Sequence, residues 1–155
     1  MTRRARLPVV LLAAAACAYG ADRLTKFLAE HYLASSPPLV LIPHVVQLNY
    51  TLNPGGAFGL GGGQPWIFFG ATVAVSIAIL VAAPRLTTLP SAIGLGLILG
   101  GALGNLTDRI VNGTGVSGRV VDFVDFHVWP VFNLADSSIV IGAAIILLAT
   151  ARKRV

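Results

Sequence analysis

Charge is scarce in this chain. Only 11% of its 155 residues are Asp, Glu, Lys or Arg, and six of them are acidic. A soluble domain carries about a quarter charged residues to cover its surface, so a water-exposed globule is a poor fit. Cysteine is almost absent too. Cys17 is the single one, inside an apolar run, which excludes an intrachain disulfide. No Cys/His spacing suggests zinc, and His31, His44 and His127 are scattered and read as loop residues. Internal repeats and low-complexity tracts are missing, and nothing marks a second domain, so residues 1–155 read as one unit. A net charge of +5 could suggest nucleic acid, but the basic residues abut membrane-length apolar segments. The tendency of Lys and Arg to stay on the cytoplasmic side explains them better, and nucleic acid is set aside.

What the chain has is hydrophobicity: 55% apolar residues and a mean hydropathy of +0.81. The first apolar run, residues 7–21, follows Arg3, Arg4 and Arg6 and continues at helical spacing through Leu24, Phe27 and Leu28. Its basic start and the small residues near Gly20-Ala21 also fit a secretory signal, but the continuation suits a retained helix. Three further runs cover residues 66–83, 91–107 and 131–150, with Trp66 and Trp129-Pro130 at interfaces and Arg85 and Arg152-Lys153-Arg154 at the opposite ends. The pattern predicts an all-α membrane protein with four transmembrane helices and both termini cytoplasmic. Gly96, Gly100 and Gly104 recur every four residues, a small-residue stripe for close helix packing. Between the spans, Ser35-Ser36-Pro37-Pro38 breaks the first helix. Residues 45–52 and 119–126 read as extended segments that could pair as a small extracytoplasmic sheet. Residues 61–65 and 112–118 read as Gly-rich links.

The acids sit beside these connections. The last span opens with Pro130-Val131-Phe132-Asn133-Leu134-Ala135-Asp136, and Asn133 and Asp136 share a helix face. Asn105 and Asp108 repeat the spacing in Gly104-Asn105-Leu106-Thr107-Asp108-Arg109, and Asp122 lies in Val120-Val121-Asp122-Phe123. A carboxylate in a spanning helix is expensive, by roughly 2.5–3.5 kcal/mol at its centre. Such residues therefore point to function, although Asp136 with Asn133 could also be a helix-start polar cluster and Asp122 an edge-strand charge. Asp22 and Lys26 are four apart and read as a surface ion pair at the outer end of the first helix, with Lys26 also able to snorkel to a lipid headgroup. Asn53-Pro54-Gly55-Gly56-Ala57-Phe58-Gly59 reads as a turn that is either ordinary or presents main-chain groups to a ligand.

Asp22-x-x-x-Lys26, Asn53-x-Gly55-x-Ala57-Phe58-Gly59, Gly104-Asn105-x-x-Asp108-Arg109, Val121-Asp122-Phe123 and Phe132-Asn133-x-Ala135-Asp136 occur in this order on four spans. Together the chain resembles the signal peptidase II family, the lipoprotein signal peptidases. The resemblance implies an intramembrane aspartyl endopeptidase of the bacterial cytoplasmic (inner) membrane, with its active site near the extracytoplasmic face. Its substrate would be a diacylglyceryl-modified prolipoprotein, cut just before the lipidated cysteine. It implies no metal or organic cofactor, contact with membrane lipids, and inhibition by globomycin-type peptides. Asp122 and Asp136 match the catalytic pair. Asp22, Lys26, Asn53, Gly55, Asn105, Asp108, Arg109 and Asn133 match supporting or substrate-binding positions. The loop from Arg109 to Asp122 is long for the family and the segment from Asp122 to Asp136 short, so Asp108 and Asp125 are the fallback partners.

Two carboxyls sharing a proton supply both the base and the acid that amide hydrolysis needs. Asp108 suits that role less, because the adjacent Arg109 would favour plain carboxylate on contact. Three rival readings remain at this level. They are an ion-coupled transporter subunit, a metal-dependent lipid-headgroup enzyme, and a non-enzymatic assembly factor.

Overall fold

The computed structural model describes residues 6–55, 64–113 and 118–151. Four helices, α1 (Leu7–Leu33), α2 (Pro65–Ala82), α3 (Leu89–Val111) and α4 (Leu134–Ala151), are long and apolar enough to cross a membrane. Pro8 and Pro90 lie in the first turns of α1 and α3, where a missing N–H costs nothing. Thr88 caps α3 by accepting the Ser91 N–H. Ser76, Thr107 and Ser138 each return their hydroxyl to a carbonyl one turn earlier, which satisfies it without water. Large apolar side chains such as Val81, Val140, Leu147 and Leu148 face outward, as expected of a surface solvated by lipid.

Helix α3 is the centre of the bundle, packed against α1 and α4 and more lightly against α2. Its glycines explain why. A Cβ on Gly96 would lie 2.5 Å from the Leu11 carbonyl oxygen, and one on Gly100 would lie 2.7 Å from the Ala18 Cβ. On another face, Gly94 meets Gly142 and Ile146, and Gly101 meets Ala135 and Ile139. The small-residue stripe read from sequence, Gly96, Gly100 and Gly104, thus faces α1, and Gly94 with Gly101 adds a second one facing α4. The order of these contacts makes α1 and α3 parallel and α4 antiparallel to both. At the end holding Leu7, an apolar core of Leu7, Leu11, Ile79, Ala83, Leu86, Ala92 and Leu99 closes the bundle. A short 3₁₀ turn, Ala83–Arg85, joins α2 towards α3.

At the other end lies a three-stranded antiparallel sheet in the order β1 (Leu39–Ile42), β2 (Val46–Asn53), β3 (Val120–Asp125). The two extended segments read from sequence do pair, with Thr51 opposite Asp122 and Asn53 opposite Val120. Strand β1 is an addition: its run of four apolar residues has no alternation to mark it. The first helix runs to Leu33 and stops just before Ser35-Ser36-Pro37-Pro38, where the sequence places its break. The terminal basic residues 3, 4 and 152–154, and residues 56–63 of the Gly-rich turn and link, lie outside the described residues.

Overpacking one of these close contacts tests this arrangement. Gly100→Leu should cost about 1–3 kcal/mol or more and lower the unfolding temperature in detergent. Gly20→Ala, where the added Cβ meets nothing within 4 Å, should leave it unchanged.

Candidate active site

At about 1.5 Å per residue, Asp22 lies roughly 22 Å along α1 from Leu7, inside an apolar layer of about 30 Å. A charge at that depth must be buried in protein and paired. Both conditions hold. Asp22 and Lys26 are 0% and 1% exposed, so the surface ion pair expected from sequence is an interior one. Lys26 Nζ sits 2.9 Å from Asp22, 2.8 Å from Asp108 and 2.8 Å from the Asn105 side-chain oxygen. Asp22 also accepts the Ala135 backbone N–H at 2.9 Å, which ties α1 to the start of α4. Gly104 makes room, since a Cβ there would lie 2.9 Å from Asp22 Cγ. Asp108 accepts from Arg23 and from the Val121 N–H as well. It therefore anchors β3 and is matched by two cations. Sequence gave no signal for Arg23, which reaches across to α3.

Asp108 does not pair with Arg109. Neighbours on a helix point in different directions, and Arg109 turns to the opposite side. There it donates to the carbonyls of Gly55 (3.3 Å) and Asn105 (3.2 Å) and stands over the Phe68 ring. Close backbone approach at Gly118, where a Cβ would fall 2.7 Å from Arg109 Cα, sets the residues just before β3 against the end of α3.

The remaining groups form one hydrogen-bonded chain. Asn133 accepts the Asp136 N–H at 2.9 Å while Asp136 accepts the Asn133 N–H at 3.2 Å, the reciprocal arrangement of a capping box. The helix-start cluster foreseen in the sequence is thus real, and it leaves Asp136 free for more. Its other oxygen accepts from the Asn105 amide at 2.9 Å. The Asn133 amide donates to Asp122 at 2.6 Å and lies 3.1 Å from the Asn105 oxygen. Asn53 closes the far side. Its oxygen takes the Gly55 N–H in an Asx turn, which aims its amide at Asp122, 2.8 Å away. Burial, first, and the neighbouring Asp136 charge push the Asp122 carboxyl up to about 7, against the hydrogen bonds from Asn53 and Asn133.

Asn53, Gly55, Asn105, Arg109, Asp122 and Asp136 line one cavity of about 470 Å³. Its other walls are mostly apolar: Phe68, Ala71 and Val75 of α2 beside Thr72, whose hydroxyl is spent on the Phe68 carbonyl, Ile98 and Ala102 of α3, and Ile139 and Val140 of α4. Asp22, Lys26, Asp108 and Asn133 stand behind this wall, fully buried. Asp125 is elsewhere. It lies at the outer end of β3, where bonds from Gln47, first, and from the His127 N–H hold its carboxyl below the usual range.

A four-span fold with two carboxylates lining one cavity defines a class of membrane protein whose acids gather at one end of its bundle. The family model for signal peptidase (SPase) II matches residues 14–152, and the chain belongs to the signal peptidase II family. Relatives described as lipoprotein signal peptidase include those of Rhodococcus jostii and Streptomyces griseus. The first is 42% identical over 97% of this chain and 75% of its own length, the second 44% over 94% and 75%. Two solved bacterial membrane enzymes share the fold. They superpose with TM-scores of 0.82 and 0.77, both at 29% identity, covering 93% and 90% of this chain and 88% and 91% of theirs.

Removing one partner of the interior ion cluster is the first test. Lys26→Met strands Asp22, leaves Asp108 with Arg23 alone, and should cost about 3–5 kcal/mol, read as thermal unfolding in detergent. The second test is pH. A carboxyl raised from 3.8 to about 7 on folding costs nothing when both states are protonated. The cost grows from about pH 4 to pH 7 and levels off above. The wild-type unfolding temperature should contain a fall across that window that Asp122→Asn removes.

Proposed function

We propose that the chain removes the signal peptide from diacylglyceryl-modified prolipoproteins, with Asp122 and Asp136 as a metal-free aspartyl pair that cleaves just before the lipidated cysteine. The observation that carries this reading is the convergence of both carboxyls on one cavity through Asn105 and Asn133. In this mechanism Asp136 takes a proton from water as the oxygen attacks the scissile carbonyl carbon. Asp122, still protonated near neutral pH, gives its proton to the carbonyl oxygen. The diol then collapses, the C–N bond breaks, the proton on Asp136 passes to the leaving nitrogen, and a diol hydroxyl returns one to Asp122. Asn53 and Asn133 orient Asp122, and Asn105 orients Asp136. Arg109 holds the Gly55 turn over the cavity, and globomycin-type peptides would compete for the same space.

The architecture supports the substrate class. A signal-peptide segment and acyl chains already lie in the bilayer, and the cavity walls from α2, α3 and α4 are mostly apolar. Arg85 lies at the end of α2 away from the sheet, and in the sequence the terminal basic clusters precede α1 and follow α4. The positive-inside tendency supports a cytoplasmic place for that end and both termini, with the sheet and the acids near the extracytoplasmic face of the inner membrane. Ion-coupled transport is less favoured, because the acids gather at one end instead of tracing a path across.

The test is cleavage of a diacylglyceryl prolipoprotein by purified protein. Asp122→Asn and Asp136→Asn should each lose roughly 100- to 10,000-fold in kcat, Asp125→Asn should stay active, and EDTA should change nothing. Activity should fall as pH rises past about 7, where Asp122 loses its proton. Asn53→Ala, which removes a bond favouring the ionised form, should move that fall to higher pH. Full activity of Asp122→Asn, or loss with EDTA, would overturn the assignment.

A further inference from the structure

Strand β1 is apolar on both faces and covered on neither. Leu39, Val40, Leu41 and Ile42 are each more than half exposed, and Val45 is nearly so. Every residue from 34 to 45 is exposed, and none is Asp, Glu, Lys or Arg. An edge strand standing in water is normally guarded by charge, by proline or by a bulge, because its free edge and apolar side chains invite pairing; β1 has an irregular register between Val40 and Ile42 but no charge. A second exposed, uncharged stretch, residues 126–129, leads from β3 towards α4, with Phe126 and Val128 open. A shallow depression lined by Val40, Pro43, His44, Gln47 and His127 joins the two stretches into one patch.

We infer that residues 39–45 and 126–129 form an apolar foot that seats in the headgroup–acyl boundary of the same bilayer the helices span. Three observations favour lipid over another protein. The patch continues the outward-facing apolar surface of α1, where Phe27 and Tyr32 are exposed, across a connection of five residues. Its two stretches contain no Asp, Glu, Lys or Arg, which suits lipid contact. Both faces of β1 are apolar, whereas strand pairing by a partner would need only its edge. Depth is limited too. Among the described residues β1 pairs only with β2, and a strand edge cannot sit unpaired in hydrocarbon. The foot therefore lies shallow, within roughly 5–10 Å of the headgroups, where water still reaches the backbone.

The placement has a consequence that rests on the peptidase reading. β2 runs from this foot to Asn53, β3 carries Asp122, and the second stretch leads to Asp136. Seating the foot sets the depth of the cavity relative to the acyl chains of the substrate.

Fluorescence depth measurement tests the inference without reading cleavage. In a Trp66→Phe, Trp129→Phe background, Leu41→Trp is reconstituted in phosphatidylethanolamine–phosphatidylglycerol vesicles doped with brominated phosphatidylcholine. Val45→Trp serves as a second probe should the first not fold, with helical circular dichroism as the check. The expected result is loss of emission to brominated chains, greater with bromine near the headgroup than near the chain end, and weak loss to aqueous iodide. Strong loss to iodide with none to bromine would put the hairpin in water. Protection from both quenchers would mean that a second copy or another protein covers it. Either result overturns the lipid assignment and leaves the peptidase reading standing, while failure to cleave prolipoprotein would leave the depth result standing.

Discussion

An ammonium withdrawn from water must be surrounded by oxygen, and in this fold that requirement organises everything at one end of the bundle. Lys26 Nζ touches Asp22 on its own helix and both Asp108 and Asn105 on α3. Each partner then holds something else. Asp22 fixes the backbone where α4 begins, Asp108 fixes the backbone of β3, and Asn105 reaches Asp136. One buried cation thus sets the relative positions of the three elements that frame the cavity. The glycines of α3 make this possible, because α1 comes close enough for the Asp22 carboxylate only where no Cβ intervenes.

The two carboxylates of the cavity differ in how they are held. Asp136 belongs to a helix start, and its orientation follows from the local geometry of α4. Asp122 belongs to a strand and depends on long-range partners, Asn53 from β2 and Asn133 from α4. Burial raises its proton affinity, and the Asp136 charge adds to the effect. A short sheet edge and a helix end, joined through Asn133, therefore place an acid that keeps its proton near neutrality beside a carboxylate that can accept one.

Much of the fold was legible in the sequence because hydrophobic runs of spanning length leave few alternatives in a bilayer. The extended segments around 45–52 and 119–126 were legible from β-branched residues, and their pairing followed from lying at the same end. Strand β1 was not, since four consecutive apolar residues after two prolines show no period. Motif spacing could bring Asn133 and Asp136 onto one helix face. It could not show that Asp22 and Lys26 are interior, because an i, i+4 pair looks the same on either side of a helix. Nor could it show that Asp108 and Arg109 part company, or that Arg23 joins Asp108. Those facts depend on which helix α3 meets on each face. The apolar walls from α2 and α4 were likewise invisible, since they differ in no way from lipid-facing residues until the helices are packed.

The central claim is that Asp122 and Asp136 behave as one coupled pair, and infrared titration of the carboxyl C=O stretch in 13C-aspartate-labelled protein tests it most directly. The account predicts a protonated-carboxyl band that titrates near pH 7, disappears in Asp122→Asn, and titrates at lower pH in Asp136→Asn, where the neighbouring charge is gone. A band whose midpoint is the same with and without the Asp136 carboxylate would contradict it, because the Asp136 charge would then have no hold on the Asp122 proton.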